Sequence, residues 1–457
     1  MLETTERQRT DFTEGSVLGS ILRMGLPSMI GFLSQHLYSV ADMFWVSRLP
    51  EGENGVAAIT FFTNLMWILF AFNSLIGPGS VAIISRRYGE RDFDRTETAI
   101  KETLILKLFF GLLVNIVGLI FLPIMLRLLG AEGEAYAMGV TYGRIVIIGL
   151  PVFYAAYSIF TALRGVANPN LAMALMIGSN ALNVILDPLL MFGWFGLPAY
   201  GIAGAAYATV ASFAICFVVG MLLFLSPYVN VQLHLRSRVP VSVASMWKML
   251  WLGVPAWIGE LSWSLSRLLI TPIIATFGTG VVAAFGASMQ VFGFGIALIV
   301  GIGLGLSSLI GHNLGALKYV RAKTTADHAI WLGAGIMGTL GLLTFVFAET
   351  YMRIFFDNAE TIRHGATLLR ITAVGYPFFG AFIMLEQVHL GVGLNTPFMI
   401  VSIIHSWALQ VLPAVIVTQV FGWPQTAVWW VLTISGMITT VAFYWYYQRG
   451  RWLTAKV

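Results

Sequence analysis

Twelve long apolar runs constrain the fold of this 457-residue chain more than any other feature. The run from Ile21 to Val46 holds about twenty-five residues, and a helix that rises about 1.5 Å per residue would carry it across a bilayer. We place the twelve runs near residues 18–46, 55–84, 100–126, 138–163, 170–193, 201–226, 246–276, 281–311, 326–348, 365–392, 396–421 and 425–447. The sequence therefore predicts an all-α integral membrane protein with twelve transmembrane helices.

The composition agrees with a protein that is built to lie in lipid. Hydrophobic residues make up 58% of the chain and charged residues only 10%, whereas about a quarter of the residues in a soluble domain are charged. The single cysteine, Cys216, excludes internal disulfides and cysteine-based metal sites. The N-terminal segment is polar and lacks the features of a cleaved signal, so we expect the first helix to act as its own insertion signal.

Lys and Arg residues are distributed unequally between the two ends of the predicted helices. Eighteen of the 26 fall on the side that holds both termini and the loops after even-numbered helices, among them Arg164, Arg236 and Arg238. Six fall on the other side, and Lys107 and Arg267 lie within helices. The positive-inside rule then predicts a multi-pass protein of the cell membrane with both termini in the cytoplasm. The basic residues follow the membrane sides, so we expect no nucleic-acid partner.

The opening of the first helix recurs in the second half of the chain. Gly25-Leu-Pro-Ser-Met-Ile-Gly-Phe-Leu-Ser34 is echoed 228 residues later by Gly253-Val-Pro-Ala-Trp-Ile-Gly-Glu-Leu-Ser262. Two further matches have an offset of 226, namely Gly77-x-Gly79 with Gly303-x-Gly305 and Gly149-Leu-Pro151 with Gly375-Tyr-Pro377. One period thus covers six helices. Because an even number of crossings returns the chain to its starting side, the repeats are parallel and related by an axis along the membrane normal.

These repeats divide the chain into two pseudo-symmetric six-helix lobes. We assign residues 1–225 to the N-lobe, residues 226–244 to a cytoplasmic linker and residues 245–457 to the C-lobe. The linker is polar, basic and contains proline. Parallel repeats of this kind occur in transporters whose halves rock against each other.

Four acidic residues lie well inside the predicted helices, namely Asp42, Asp187, Glu260 and Glu386. Each is costly in lipid unless it faces water, a partner or a proton, so intramembrane acids are functional by default. Structural explanations also exist. Asp42 could lie at the interface, Asp187 could end a helix at an Asp-Pro turn, Glu260 could pair with Arg267, and Glu386 could snorkel toward the cytoplasmic interface.

The two aspartates belong to polar stripes on helices that both run outward. The stripes consist of Gln35, Ser39 and Asp42 on the first helix and of Asn180, Asn183 and Asp187 on the fifth, at helical i+3 and i+4 spacing. The aspartates should therefore lie at similar depth in the N-lobe. Further side chains could line the same cavity, although each alone is more often a packing hydrogen bond. They are Asn64, Asn73, Tyr154, Tyr157 and Thr209.

Four stretches follow one another in an order that resembles the multidrug and toxic compound extrusion (MATE) family. They are GLPSMIGFLSQHLYSVADMFWVSRL from Gly25, LRGVANPNLAM from Leu163, NVILDPLLMFG from Asn183 and YGIAGAAYAT from Tyr200. The resemblance covers essentially the whole chain. It implies a cation-coupled antiporter that exports amphipathic, often cationic compounds. An acid on the first helix and Asn-x-x-x-Asp on the fifth resemble the DinF-like branch of the family.

The resemblance also implies which residues bind the coupling ion, and the polar residues near them predict which side chains line the substrate cavity. The coupling site would consist of Asp42, Asn183, Asp187 and Thr209, and the substrate cavity of Gln35, Asn64, Asn180, Tyr154, Tyr157 and Glu260. Glu260 resembles the seventh-helix carboxylate of the NorM-like branch. That branch has a second acid early on the tenth helix, where this chain has Pro377-Phe378-Phe379. The resemblance therefore predicts no complete ion site of that kind in the C-lobe.

We expect a monomeric secondary exporter whose coupling ion is a proton, with no other cofactor. Sodium is the alternative ion, because two carboxylates with Asn and Thr oxygens also suit a hard cation at Asp42, Asn183 and Asp187. A flippase for lipid-linked oligosaccharides has the same broad architecture. It would favour a cationic cavity, and Arg267 is the only clear cation that the sequence places at depth. No HExxH, GxSxG or Cys/His grouping indicates an enzyme.

Overall fold

The computed structural model describes residues 11–234 and 239–455 of the chain. Within those two ranges the regular structure is helical, with no strand. The helices are α1 (Val17–Val46), α2 (Gly52–Ala71), α3 (Gly77–Gly89), α4 (Phe93–Leu128), α5 (Gly133–Ile148), α6 (Leu150–Gly165), α7 (Pro169–Phe192), α8 (Ile202–Leu225), α9 (Val243–Ala275), α10 (Thr279–Gly315), α11 (Tyr319–Phe355), α12 (Ala359–Ala373), α13 (Tyr376–Val392), α14 (Thr396–Val420) and α15 (Gln425–Gln448).

These helices correspond to the twelve predicted spans. Within the described ranges, nine candidate spans are long and apolar enough to cross a membrane, and α2 and α3 together form one of them. Two pairs of helices joined at a bend each count as one further span, which raises the number to eleven. The twelfth is α9, whose 33 residues are long enough but whose apolar character is reduced by Lys248, Glu260 and Arg267. The predicted second span is interrupted by a 3₁₀ turn at Phe72–Leu75. The protein is thus an all-α, multi-pass membrane protein.

The internal repeat is visible in the backbone. The fourth and tenth spans are both bent by 51°, where α5 meets α6 and where α12 meets α13. Left-handed backbone recurs at the same offset of 226 residues, at Arg91 and Leu317 (φ 60° and 57°) and at Ala167 and Gly393 (φ 60° and 82°). The bends and the turns therefore follow the parallel repeat that the sequence predicts. The lobe boundaries at residues 225 and 245 stay a prediction, although α8 ends and α9 begins on either side of them.

The two halves contact each other through closely packed glycines. Gly25 of α1 faces Ile302 of α10, and a side chain at Gly305 would meet the backbone of Met24. On α3, Gly79 lies against the backbone of α9. His312 of α10 forms a 2.7 Å hydrogen bond through Nε2 with the carbonyl oxygen of Gly165 on α6. Such close approach requires small residues, as is usual where transmembrane helices pack.

Basic side chains, the N-terminal segment and the C-terminal segment meet at one end of the helices. Arg86 donates to the carbonyl oxygen of Ala455 at 2.9 Å, and Lys318 donates to that of Thr13 at 3.1 Å. Lys101 donates to the linker carbonyl oxygen of His234. This end is the one to which the charge count assigns the cytoplasm. Five residues of that count lie outside the described ranges, namely Arg7, Arg9, Arg236, Arg238 and Lys456.

Candidate functional site

Helices α1, α7 and α8 bring the predicted coupling residues together. Gly31 of α1 lets Met176 of α7 approach, since a Cβ at Gly31 would lie 3.0 Å from the Met176 sulfur. Gly204 of α8 lies against α7 in the same way, with its Cβ position 2.5 Å from the carbonyl oxygen of Leu190. Through these two close approaches, α7 packs against both α1 and α8.

Asp42 and Asp187 are both buried at this junction, with 6% and 0% of their surface exposed. The two side chains are close enough for a negative charge on Asp42 to disfavour a second one on Asp187. Asn183 donates to Asp187 Oδ1 at 3.4 Å and to Thr209 Oγ1 at 3.3 Å. The structure therefore brings together all four residues of the predicted coupling site.

Three oxygen atoms at this junction are buried and accept no hydrogen bond from the described residues. They are Asp42 Oδ1, Asn183 Oδ1 and Asp187 Oδ2. A buried acceptor without a donor is costly, and a proton or a small hard cation is the species that would satisfy such oxygens. Two carboxylates, an amide and a hydroxyl are a donor set that fits either ion.

Two tyrosines that the sequence analysis did not select lie beside the aspartates. Tyr38 is one turn from Asp42 on α1, and Tyr142 comes from α5. Both are close enough for the charges of Asp42 and Asp187 to act on their hydroxyl groups. The i−4 spacing from Asp42 was a sequence signal for Tyr38. No sequence pattern connects Tyr142 to this site, because α5 reaches it only through tertiary packing.

Three of the six predicted cavity residues form hydrogen bonds between α1, α6 and α7. Gln35 donates to the Tyr157 hydroxyl at 2.5 Å, and Asn180 donates to the Ser34 hydroxyl at 2.6 Å. Tyr154 is buried and donates to the carbonyl oxygen of Leu69 at 2.6 Å, which makes it a structural contact. The lining residues therefore belong largely to the N-lobe.

Two polar residues that the sequence analysis singled out lie apart from this group. Asn64 is exposed, and its amide donates to the carbonyl oxygen of Thr60 in its own helix at 3.0 Å. Ser39, on the predicted stripe of the first helix, is also exposed. The stripe on α1 is thus not buried along its whole length.

The alternative explanation for Glu260, an ion pair with Arg267, does not hold in the described residues. Arg267 is exposed on α9, and Glu260 instead accepts a 2.6 Å hydrogen bond from the Ser74 hydroxyl. Ser74 lies in the 3₁₀ turn that interrupts the second span, so this bond joins the two halves of the chain. Seven residues separate Glu260 from Arg267, and the sequence could not show that the nearer hydroxyl comes from another helix. The charge of Glu260 also acts on Glu386 of α13.

The sequence predicts Arg267 as the only clear cation at depth, but the structure buries two other cations. Lys107 of α4 has 1% of its surface exposed and Arg164 of α6 has 5%. The charge count assigned Arg164 to a cytoplasmic loop, whereas it lies in the last turn of α6. Helix packing buries it there, which a count of charges cannot reveal.

Comparison with known proteins identifies the relatives of this architecture. The model of the family MatE matches residues 27–189 and again residues 255–416. A probable multidrug resistance protein of Bacillus subtilis, YoeA, is 28% identical over 440 residues, which cover 95% of this chain and 94% of that protein. The multidrug export protein MepA of Staphylococcus aureus (strain MSSA476) is 26% identical over 440 residues, with 94% and 93% covered.

Solved structures have the same fold over nearly the whole chain. A MOP superfamily transporter from Pyrococcus furiosus superposes with a TM-score of 0.88 at 26% identity, and covers 98% of this chain and 100% of its own. An outward-facing multidrug resistance MATE family transporter superposes with a TM-score of 0.87 at 26% identity, with 98% and 99% covered. These likenesses extend across both halves of the molecule.

Proposed function

The chain belongs to the MatE family, and on that premise we propose that it is a secondary active exporter. It moves amphipathic, often cationic, organic compounds out of the cell in exchange for protons. The names of the relatives support export of drugs as the class of activity, since they include multidrug resistance and multidrug export proteins. We propose that it acts as a monomer in the cell membrane, with both termini in the cytoplasm.

One observation carries the proposal, namely the buried pair Asp42 and Asp187 with oxygens that accept no hydrogen bond from the described residues. Two adjacent negative charges in an apolar surround repel each other, so a proton on either carboxyl group stabilises the pair. A cationic substrate favours the fully ionised pair, because the negative charges attract it. Protons that enter from the outside therefore displace the substrate outward. Export follows if the empty protein returns inward only when protonated.

The packing of the two halves supports alternating access. Gly25, Gly79 and Gly305 all lie in close contacts between the halves, toward the end where the basic residues gather. We propose that this state is closed to the cytoplasm. Rocking of the lobes would separate these contacts and open the cavity beside Gln35, Tyr157 and Asn180 to the inside. Glu260, bonded to Ser74, would change its partner in that movement.

Proteoliposome transport under separately imposed gradients tests this function. Purified protein in vesicles should move ethidium when a pH gradient is present and sodium is absent, and vesicles with Asp187→Asn should not. Movement that follows only a sodium gradient would make the aspartate pair a sodium site. No movement under either gradient, with the family's substrates tried in turn, would contradict the exporter proposal itself.

The proposed orientation predicts which positions an impermeant thiol reagent reaches in intact cells. Cysteines at Glu51 and Glu132, which are both exposed between helices, should react from outside. Cysteines at Val320, which is 83% exposed, and at Arg451 should react only after the membrane is opened. The native Cys216 is buried, so labelling of the unmodified protein gives the background signal. The reverse pattern of labelling would invert the topology.

A further inference from the structure

Lys107 and Arg164 are two buried cations that the proposed export cycle does not use. Lys107 is 1% exposed and lies within α4, well inside the third span. Arg164 is 5% exposed in the last turn of α6. Charged side chains are almost never buried to this extent without a partner. The pair therefore requires an explanation.

The packing of α4 places Lys107 inside the N-lobe. Thr103, one turn before it on the same face, donates to the Ser80 hydroxyl of α3 at 3.1 Å. Gly111, one turn after it, lies against the backbone of Pro151 at the start of α6. Lys107 thus lies between two helix contacts and faces the interior. The positive charge of Arg164 is close enough to repel it.

Neither cation has an anionic partner in the part of the chain that the structure describes. No side-chain hydrogen bond or ion pair joins Lys107 or Arg164 to another described residue, although Arg164 is close enough for the Tyr157 hydroxyl to act on its charge. The buried Ser158 hydroxyl of α6 also has no partner among the described residues. The nearest acid on α4, the buried Glu102, is occupied elsewhere. It accepts hydrogen bonds from the Ser242 backbone at 2.9 Å and the Ser245 hydroxyl at 2.6 Å.

Two like charges that are buried, close together and unpaired are unfavourable in an empty protein. Replacing such a group with an apolar side chain of similar size is often neutral or stabilising. Their arrangement becomes favourable when an anion lies between them, because an ammonium and a guanidinium both form strong charge-assisted hydrogen bonds with phosphate or carboxylate.

We propose that Lys107 and Arg164 form a binding site in the N-lobe for the phosphate or carboxylate group of an anionic amphiphile. The site is separate from the aspartate pair, which would bind a proton or cation. Its surroundings on α4 and α6 are largely apolar and therefore suit the chain of an amphiphile. The headgroup belongs either to a membrane phospholipid or to a transported compound, and both share this chemistry.

The test uses the purified full-length protein in a nonionic detergent, with thermal unfolding as the readout. Dihexanoyl phosphatidic acid should raise the unfolding midpoint in a saturable manner, since a ligand that binds only the folded state stabilises it. Dihexanoyl phosphatidylcholine, which has no net charge, should have little effect. Lys107→Met and Arg164→Met should each weaken the apparent Kd for phosphatidic acid by about ten-fold or more.

Further variants separate a binding role from a structural one. Lys107→Arg should keep the response, because it keeps the charge, and Lys248→Met should behave as wild type, because it removes an exposed cation on α9. Without the probe, Lys107→Met should unfold at the same temperature as wild type or higher. A wild type that phosphatidic acid does not stabilise, or a response that Lys107→Met and Arg164→Met leave unchanged, would overturn the proposal.

Native mass spectrometry then distinguishes the two sources of the headgroup. Phosphatidylglycerol that stays on the wild-type protein after purification, and is lost in Lys107→Met, would identify a lipid site. Saturable binding of phosphatidic acid without retained lipid would identify a cargo site. Because binding is measured without transport, a failure here leaves the proposed export of cations untouched, and a failure of export leaves this site standing.

Discussion

Replacing Asp187 or Asp42 with Asn should reduce gradient-driven export of ethidium to the level of vesicles without protein. Asn has nearly the shape of Asp and cannot bind or release a proton. The fold should survive, because each replacement leaves a neutral side chain of nearly the same shape and removes the repulsion between two buried carboxyl groups. Export is measured in proteoliposomes with an imposed pH gradient, and folding by the thermal unfolding midpoint.

Two matched variants make this result specific. Asp357→Asn removes an exposed carboxylate between α11 and α12 and should export as wild type. Glu260→Gln keeps an oxygen that can accept from the Ser74 hydroxyl, so its effect should be smaller than that of either aspartate variant. Loss of export in Glu260→Gln, with wild-type export in both aspartate variants, would place the coupling in the C-lobe.

Replacing Gly253 with Val should also abolish transport, but by blocking a contact between the lobes and not by removing a coupling residue. Gly253 of α9 lies against the carbonyl oxygen of Leu75, in the 3₁₀ turn of the second span, and a side chain would overlap that oxygen. The lobes could then no longer close on each other at this contact, so the closed state would lose population. The N-lobe residues that we propose to bind the ion and the substrate are untouched by this change.

The measurement compares transport with substrate binding in the same variant. Gly253→Val should still bind ethidium in detergent while its transport in proteoliposomes falls to background. Gly286→Val is the control, since Gly286 of α10 is exposed and has open space where its side chain would extend. Wild-type transport by Gly253→Val would show that this contact need not close during the cycle.

The sequence predicts the architecture well because lipid leaves few choices. A chain with twelve apolar runs must form helices, since unpaired backbone groups are too costly in a bilayer. The offset of 226 residues predicts the repeat, and the bends before Leu150 and Tyr376 and the turns at Arg91 and Leu317 follow it. The sequence does not predict that the fourth and tenth spans are bent pairs, because hydropathy continues through each bend.

The site is predictable where its residues lie on one helix and less so where helices meet. Asn183 and Asp187 share a face of α7, and their proximity follows from helical spacing alone. Tyr142 and Ser74 join the polar groups only through packing, so no local pattern marks them. Arg164 illustrates the same limit, since it is close to a loop in sequence but buried in the structure. Pairing across helices depends on distances that one sequence does not contain.

Proton release on substrate binding tests the central claim most directly, namely that Asp42 and Asp187 together hold the coupling proton. Two interacting carboxylates lose their protons as a pair, so the released proton belongs to both. Ethidium added to purified wild-type protein in weakly buffered, sodium-free solution should release protons, and the double variant Asp42→Asn/Asp187→Asn should release none. Substrate binding by the wild type without any proton release, together with export that requires sodium, would contradict the account.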